Sequence, residues 1–149
     1  MLNREEICRL IPHRDPFLWI DEVVTESENR IVARKLISPD LDVFHGHYPG
    51  QPVLPGVLLC EAAMQAGAVL IARQGLAASG GEVPAAGRVP VATRINNVKF
   101  KQMVRPGDTL EIEVTLTDHL ADAFFLSAKI TVAGKTAAQL DFACTLTGG

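Results

Sequence analysis

Hydrophobic and polar residues follow two different spacings in the first part of the chain. Asn3, followed three residues later by Glu6, is typical of a capped helix start, and the helix predicted here runs to about Leu10. Over 17–25 and 31–37, apolar and polar residues alternate as in two paired strands joined by a polar turn. The chain is therefore predicted to open with one short helix and one hairpin.

A long apolar run follows a loop that is rich in glycine and proline. The loop spans 38–55, and Pro55 suits a first helical position because proline lacks the N–H that would be unpaired there. The helix is predicted to continue to about Gln74, where Gly75 can end it. It is apolar on all sides and carries a single carboxylate, Glu61, which is typical of a helix buried inside its own domain.

A membrane span is the alternative for the apolar run from Val57 to Ala72. That run is shorter than the roughly 20 residues that cross a bilayer, and the carboxylate of Glu61 makes insertion costly. We therefore expect this helix to lie under a sheet, with no membrane insertion.

The second half of the chain contains β-rich runs separated by turns. A stretch rich in alanine and glycine, 77–90, comes first and is expected to be a mobile surface loop. Four predicted strands follow, at 91–104, 109–119, 124–132 and 136–146. Short connections such as the turn at 105–108 favour antiparallel pairing. The sequence thus predicts an α+β fold, one antiparallel sheet curled around one helix, and a single domain over 1–149.

Composition and charge narrow the class of protein. With 48% hydrophobic and 21% charged residues, the chain has the composition of a folded domain. Its net charge of −3 at pH 7 argues against a nucleic-acid partner, because dedicated nucleic-acid-binding domains are usually basic. The three scattered cysteines favour reduced thiols over a disulfide framework or a metal site. Since no signal-peptide pattern is present either, we expect a cytoplasmic protein without a metal.

One residue on each side of the boundary between loop and helix is a candidate for acid–base chemistry. His47 lies on the loop, and Glu61 lies on the apolar helix that follows. A buried carboxylate that serves only stability is uncommon without a cationic partner. The pair is therefore the first candidate for an acid–base site.

The segment His45–Glu61 resembles a motif of the FabZ-type 3-hydroxyacyl-(acyl-carrier-protein) dehydratases. Its sequence is His-Gly-His-Tyr-Pro-Gly-Gln-Pro-Val-Leu-Pro-Gly-Val-Leu-Leu-Cys-Glu. Three further segments resemble signatures of the same family in the same order, at 11–18, 97–101 and 105–108. The resemblance covers nearly the whole chain and implies the hot-dog fold, in which an antiparallel sheet wraps one long helix.

The resemblance also implies an assembly and a partner. Family members form homodimers that build each active site from the histidine of one subunit and the glutamate of the other, so His47 and Glu61 are expected to meet between chains. Trimers of such dimers are common in the family. The implied substrate is an acyl group carried by acyl-carrier protein, and no cofactor is implied.

Dehydration of a 3-hydroxyacyl thioester needs a base at C2, an acid at the C3 hydroxyl and a group that stabilises charge on the thioester oxygen. His47 suits the base, because an imidazole exchanges protons near neutral pH. Desolvation of Glu61 favours the neutral, proton-donating carboxyl group. Gly56, at the helix start, offers free backbone N–H groups and room for a carbonyl. The family assigns these roles to the matching positions, although one histidine can act as both base and proton relay.

Residues around this pair are expected to contact the substrate. Gln65 lies four residues after Glu61, on the same helical face, where it can bind the carboxylate or the departing water or simply satisfy a buried polar neighbour. Tyr48, Pro55 and Val57 are the other predicted substrate contacts. The remaining histidines are expected to be structural or solvated, and His13 in particular is expected to tie down the N-terminal segment.

A basic stretch in the second half of the chain suits the acidic carrier protein. Lys99, Lys101 and Arg105 are predicted to alternate along one strand face, with Arg94 nearby. Such an edge would steer an acidic partner to an otherwise acidic protein. A solvated strand face without a binding role is the alternative.

Two other functions fit the same fold. One is hydrolysis of an acyl thioester, and the other is binding of an acyl group without catalysis. Thioesterases of this fold typically lack the histidine loop paired with the helix glutamate, and a binding module needs neither proton-transfer group. The chain departs from the family pattern at Tyr48, at Ala63–Met64 and in the 77–90 stretch. These differences leave the acyl chain length and the biosynthetic pathway undetermined by the resemblance.

Overall fold

The computed structural model describes residues 1–78, 80–81 and 88–147, and its elements follow the order expected of a helix enclosed by a sheet. They are α1 (Arg4–Leu10), β1 (Glu22–Glu26), β2 (Arg30–Leu36), a 3₁₀ helix (Asp42–His45), α2 (Gly56–Ala78), β3 (Pro90–Phe100), β4 (Thr109–Leu120), β5 (Ala123–Val132) and β6 (Lys135–Leu146). The predicted helix start is confirmed, because Asn3 and Glu6 form a reciprocal capping box at α1.

The six strands form one antiparallel sheet in the order β1-β2-β4-β5-β6-β3. Alternate side chains of the central strands turn toward α2, so that Ile112, Ile130 and Leu140 are buried. β1 and β3 are the edges of the sheet. This arrangement is the hot-dog fold, an α+β architecture, and it confirms the predicted fold class.

Small residues on α2 let the sheet approach the helix closely. Ala62, Ala63 and Ala66 are fully buried. At Gly67 the approach is closer still, because a Cβ atom there would stand 2.7 Å from the ring of Phe142 on β6. The helix is therefore apolar all round for the reason predicted, which is enclosure by its own sheet.

Burial, and not length, distinguishes α2 from a membrane-spanning helix. The stretch Gly56–Gly75 of α2 is long and apolar enough to cross a bilayer. The prediction that the apolar run is too short to do so was therefore wrong. However, 61% of that stretch is buried inside the fold. A core helix passes the same test of length and composition, and the packing against the sheet identifies this one as such.

Two predicted boundaries near α2 are wrong. The strand predicted over 17–25 begins only at Glu22, because the backbone groups of Phe17 and Trp19 bond to the side chain of Gln65 and not to a neighbouring strand. The helix does not end at Gly75 but continues to Ala78. Gly75 keeps ordinary helical backbone, so it does not act as the terminator.

Two further differences concern the second half of the chain. The strand predicted over 91–104 ends at Phe100, and a register shift between Asn96 and Lys99 interrupts its pairing with β6. Half of the mobile loop predicted over 77–90, namely 79 and 82–87, lies outside the described residues. The other predicted strands agree with the structure to within one residue at each end.

All three cysteines carry free thiols, and two of them are buried. Burial raises the pKa of the Cys60 thiol. Burial also raises the pKa of the Cys144 thiol, from 9.0 to about 11. Both thiols are therefore held in the protonated form that reacts poorly.

The raised pKa of Cys144 predicts a loss of stability at alkaline pH. Above about pH 9 the unfolded chain releases this proton while the native state keeps it up to about pH 11, so stability falls across that interval. We expect the free energy of unfolding of Cys144→Ala to fall less over this interval than that of the wild type, by up to about 3 kcal/mol.

Urea unfolding at a series of pH values across this interval measures the effect. Cys8→Ala is the matched control, because its thiol is only half-buried. Equal slopes for Cys144→Ala and the wild type would contradict the prediction.

Candidate active site

The loop before α2 holds the imidazole of His47 in one orientation. Its Nδ1 lies 2.7 Å from the carbonyl oxygen of Val53, and its own carbonyl accepts a 3.1 Å bond from the Val53 N–H. Since a carbonyl can only accept, Nδ1 carries the proton and donates it. Nε2 is then unprotonated in the neutral ring, as a general base requires. The ring is half-buried.

Tyr48 covers one face of this imidazole. Its ring stacks on His47 with centroids 4.2 Å apart and an angle of 22° between the planes, although 57% of Tyr48 is exposed. The predicted substrate contact at Tyr48 is thus placed directly beside the predicted base. Pro55 is half-buried, and its carbonyl accepts from the Leu58 N–H, which closes the first turn of α2.

Glu61 is held on the first half of α2 with part of its carboxylate open to solvent. Its side chain is 20% exposed. Gln65, one helical turn later, donates from Nε2 to Oε1 of Glu61 at 3.0 Å. Binding of the carboxylate is thus one of the roles considered for Gln65 that agree with its contacts.

The side-chain amide of Gln65 also ties two parts of the fold together. Its Oε1 accepts from the Trp19 N–H at 2.8 Å, and its Nε2 donates to the Phe17 carbonyl at 2.9 Å. The residue is 1% exposed. Because an N–H must meet an oxygen and a carbonyl must meet an N–H, these partners fix which way the amide faces. Gln65 thus satisfies buried polar groups and orients Glu61 at the same time.

His13 lies beside the same carboxylate, which the sequence did not lead us to expect. Its Nε2 is 3.6 Å from Oε1 of Glu61. Its neighbour Arg14 also holds the N-terminal segment, because it donates to the carbonyls of Cys8, Ile11 and His13. Only a general argument could have predicted the contact of His13 with Glu61: a half-buried carboxylate needs a hydrogen-bond donor, and a histidine can be one.

The N-terminus of α2 borders an exposed apolar surface. The amide N–H of Gly56 has no backbone partner among the described residues, as is usual in a first helical turn. A Cβ at Gly56 would stand 2.8 Å from the ring of Phe100, at the end of β3, so packing also requires a glycine there. Val57, the next residue, is 69% exposed. The start of α2 thus lies next to the sheet edge formed by β3.

His47 and Glu61 do not pair within one chain. Glu61 contacts Gln65 and His13, and no ion pair or hydrogen bond joins it to His47 in the part of the chain that the structure describes. Each residue is partly open to solvent in the single chain.

The basic residues predicted for docking are exposed but are not arranged on one strand face. Lys99 lies on β3, whereas Lys101 and Arg105 lie beyond its end, so the predicted alternation along one strand is wrong. None of the three, nor Arg94, has a carboxylate within ion-pair distance among the residues described. Their side chains are exposed, although Lys99 shares a surface groove with Glu113 and Asp141.

Comparison with known proteins places the chain in a family of enzymes. A family model described as a FabA-like domain matches residues 11–141. A protein of Chloroflexus aggregans named 3-hydroxyacyl-(acyl-carrier-protein) dehydratase FabZ is 42% identical over 148 residues, which is 97% of either chain. A protein of Geobacter metallireducens with the same name is 40% identical over 141 residues, covering 94% of this chain and 90% of its own.

Solved structures share the fold at low sequence identity. The dehydratase heterocomplex ApeI:P from Xenorhabdus doucetiae aligns with a TM-score of 0.77 and 17% identity, over 95% of this chain and 91% of that one. A hypothetical thioesterase from Streptococcus pneumoniae, solved with coenzyme A, aligns with a TM-score of 0.64 and 14% identity, over 85% of each chain. At these identities the likeness establishes the fold alone, because one fold hosts several chemistries.

Removal of the Gln65 amide is expected to cost stability. Gln65→Met keeps the volume but leaves the Trp19 N–H and the Phe17 carbonyl without a partner in a buried place. We expect the free energy of unfolding to fall by about 2–4 kcal/mol. Urea unfolding measures it.

The matched control is Gln74→Met, because Gln74 donates to the Glu28 carbonyl at the surface. We expect that change to stay within about 1 kcal/mol. Equal losses for the two variants would show that burial of the amide does not decide the effect.

Proposed function

Since the chain belongs to the FabZ family of 3-hydroxyacyl-(acyl-carrier-protein) dehydratases, we propose that it removes water from 3-hydroxyacyl groups carried by acyl-carrier protein. The product is the trans-2-enoyl thioester, formed in fatty-acid or related lipid or polyketide biosynthesis. The observation that carries the proposal is the single tautomer of His47, fixed by the carbonyl of Val53. The proposed enzyme is one domain, acts in the cytoplasm and needs no cofactor.

The reaction begins at C2 of the acyl group. Nε2 of His47 takes a proton from C2, and the electron pair of that C–H bond moves toward the thioester carbonyl. The bond from Nδ1 to the Val53 carbonyl keeps the ring oriented and accommodates the positive charge that the ring gains. The negative charge on the thioester oxygen lies at the N-terminus of α2, where the free N–H of Gly56 and the helix dipole stabilise it.

Loss of the hydroxyl completes the elimination. The C3–O bond breaks as the carboxyl group of Glu61 donates a proton to the departing oxygen, so that water leaves and the C2–C3 double bond forms. His47 then holds the proton from C2, and Glu61 is a carboxylate. Transfer of one proton back to Glu61 resets the site. Gln65 supports this cycle by stabilising the carboxylate of Glu61 once its proton has left.

A homodimer is the assembly in which the two residues meet. β3 is an edge strand whose residues are exposed over most of its length, including Val91, Ile95 and Phe100 at 47%, 44% and 53%. A long edge strand with exposed apolar side chains invites pairing with another strand. Because Phe100 packs on Gly56, a second chain that pairs along β3 would come close to the start of α2. We propose that His47 of one subunit then faces Glu61 of the other. Tyr48, Pro55 and Val57 line the substrate path, and trimers of such dimers are the proposed higher assembly.

The carrier protein is proposed to dock on the basic surface formed by Arg94, Lys99, Lys101 and Arg105. Their charges are exposed and have no carboxylate partner within the described residues. On a chain with a net charge of −3, such a surface attracts an acidic partner to one place. A register shift interrupts the pairing of β3 beside Lys99. The proposed docking surface therefore includes residues of the loop at 101–105 as well as residues of the strand.

The proposed reaction predicts that His47→Ala and Glu61→Gln each lose enoyl product. We expect a fall in kcat of about 10²–10⁴-fold, the usual contribution of a general acid or base. The assay incubates the protein with a 3-hydroxyacyl-carrier-protein and follows the enoyl product and free carrier thiol by mass spectrometry. Release of thiol by the wild type without enoyl product would instead indicate a thioesterase, and no reaction would indicate a binding module.

The same two variants test whether the site is shared between subunits. When His47→Ala and Glu61→Gln are co-expressed, half of the randomly formed dimers are mixed, and each mixed dimer has one intact site, so activity should return to about one quarter of the wild type. Separate expression is the control. If co-expression does not restore activity, each chain uses its own His47 and Glu61.

Charge reversal tests the docking surface. Lys99→Glu with Lys101→Glu is expected to raise KM for a carrier-bound substrate about 10-fold while leaving KM for a short pantetheine analogue unchanged, because only the former contacts this surface. The difference should shrink as ionic strength rises. Arg9→Glu with Arg30→Glu changes the net charge equally at residues already paired with Glu5 and Glu113 and is the matched control. Equal effects on both substrates would remove the docking role.

A further inference from the structure

Two side chains converge on one oxygen of the Glu61 carboxylate. Nε2 of Gln65 lies 3.0 Å from Oε1, and Nε2 of His13 lies 3.6 Å from the same atom. They come from different parts of the chain, since Gln65 is on α2 and His13 is on the segment between α1 and β1. Oε2 of Glu61 makes no such contact among the described residues.

Burial decides which nitrogen of His13 carries the proton. Nδ1 is buried and has no hydrogen-bond partner in the described part of the chain. A proton on Nδ1 would bury an unpaired N–H, which costs free energy comparable to a lost hydrogen bond. A lone pair at Nδ1 avoids burying an N–H of this ring without a partner. The proton is therefore on Nε2, which faces Glu61 as a donor.

The remaining surroundings keep His13 in place. Arg14 donates to the carbonyl of His13 at 2.7 Å and to that of Ile11 at 2.8 Å, which fixes the backbone beside the ring. The His13 side chain is 27% exposed, so it is held but not sealed from solvent. Among the described residues, Glu61 is the charged side chain that lies within 4.0 Å of a ring nitrogen.

Two donors on Oε1 leave Oε2 as the oxygen that can carry a proton. As the carboxyl group gives that proton to the departing hydroxyl, negative charge develops, and donors already aimed at Oε1 stabilise it. At 3.6 Å the His13 contact is longer than a hydrogen bond, so in the free chain it is only a close electrostatic contact. Catalytic hydrogen bonds often tighten when substrate binds.

We propose that His13 is a positioning residue for Glu61, which together with Gln65 holds Oε1 as an acceptor and reserves Oε2 for the transferred proton. The inference rests on the proposed function, because it assigns His13 a part in that reaction. His13 touches neither the base nor the reacting carbon; it acts through the carboxylate. Its effect is therefore expected in kcat and not in KM.

Two substitutions of His13 separate this role from a merely structural one. The amide nitrogen of His13→Gln can reach the position of Nε2, whereas that of His13→Asn reaches only the position of Nδ1. We expect His13→Asn to lower kcat about 10- to 100-fold, as for the loss of one hydrogen bond to a charged group, with KM within about 2-fold. His13→Gln should recover most of the rate. Thermal unfolding of both variants monitors the fold.

A double-mutant cycle identifies Glu61 as the group through which His13 acts. In the Glu61→Gln background no carboxylate charge develops, so His13→Asn should change the residual rate by less than about 2-fold. The inference is overturned if His13→Asn keeps the wild-type kcat, if His13→Gln is as slow as His13→Asn, or if His13→Asn slows Glu61→Gln by the same factor. An inactive wild type would overturn the proposed function, and this inference with it.

A crystal structure provides a test that needs no variant. In the wild type bound to a 3-hydroxyacyl-pantetheine, Nε2 of His13 should lie about 3 Å from Oε1 of Glu61. A separation beyond about 4 Å in that complex would overturn the inference, even if the variants fail to fold.

Discussion

The buried amide of Gln65 is the interaction on which the site and its surroundings depend. With one oxygen and two N–H groups, it satisfies the backbone of the segment before β1 and holds the carboxylate of Glu61. A residue that is 1% exposed has no water to replace these partners. The same amide therefore decides where the N-terminal segment crosses α2 and how the acid of the site is aimed. It also explains why the strand begins late, since Phe17 and Trp19 use their backbone groups here.

Enclosure of α2 is the second constraint. A helix that is apolar all round must be covered on every side, and one curled sheet covers most but not all of it. Val57, in the first turn of α2, is exposed, and the preceding residue Gly56 packs against Phe100 at the end of the exposed edge strand β3. The exposed start of the helix and the free edge of the sheet thus coincide. This coincidence is the physical support for a site completed by a second copy of the chain.

The site divides into parts that local sequence could and could not predict. His47 and Glu61 were identifiable because each is chemically out of place, one on a stiff loop and one in an apolar helix. The contact of Gln65 with Glu61 followed from a spacing of one helical turn. The contact of His13 with Glu61 joins residues far apart in the chain, and no periodicity predicts it. The arrangement of Lys99, Lys101 and Arg105 was mistaken because the end of β3 depends on its pairing with β6.

The sequence by itself determined the element types, their order, the α+β class and the two candidate proton-transfer residues, because periodicity, caps and turn residues act over a few neighbours. Tertiary structure decided where strands begin and end, which polar groups the Gln65 amide satisfies, and that α2 lies in a core although its length would span a membrane. Those outcomes depend on which distant groups compete for the same hydrogen bonds and the same apolar surface. Only the folded chain brings these groups together.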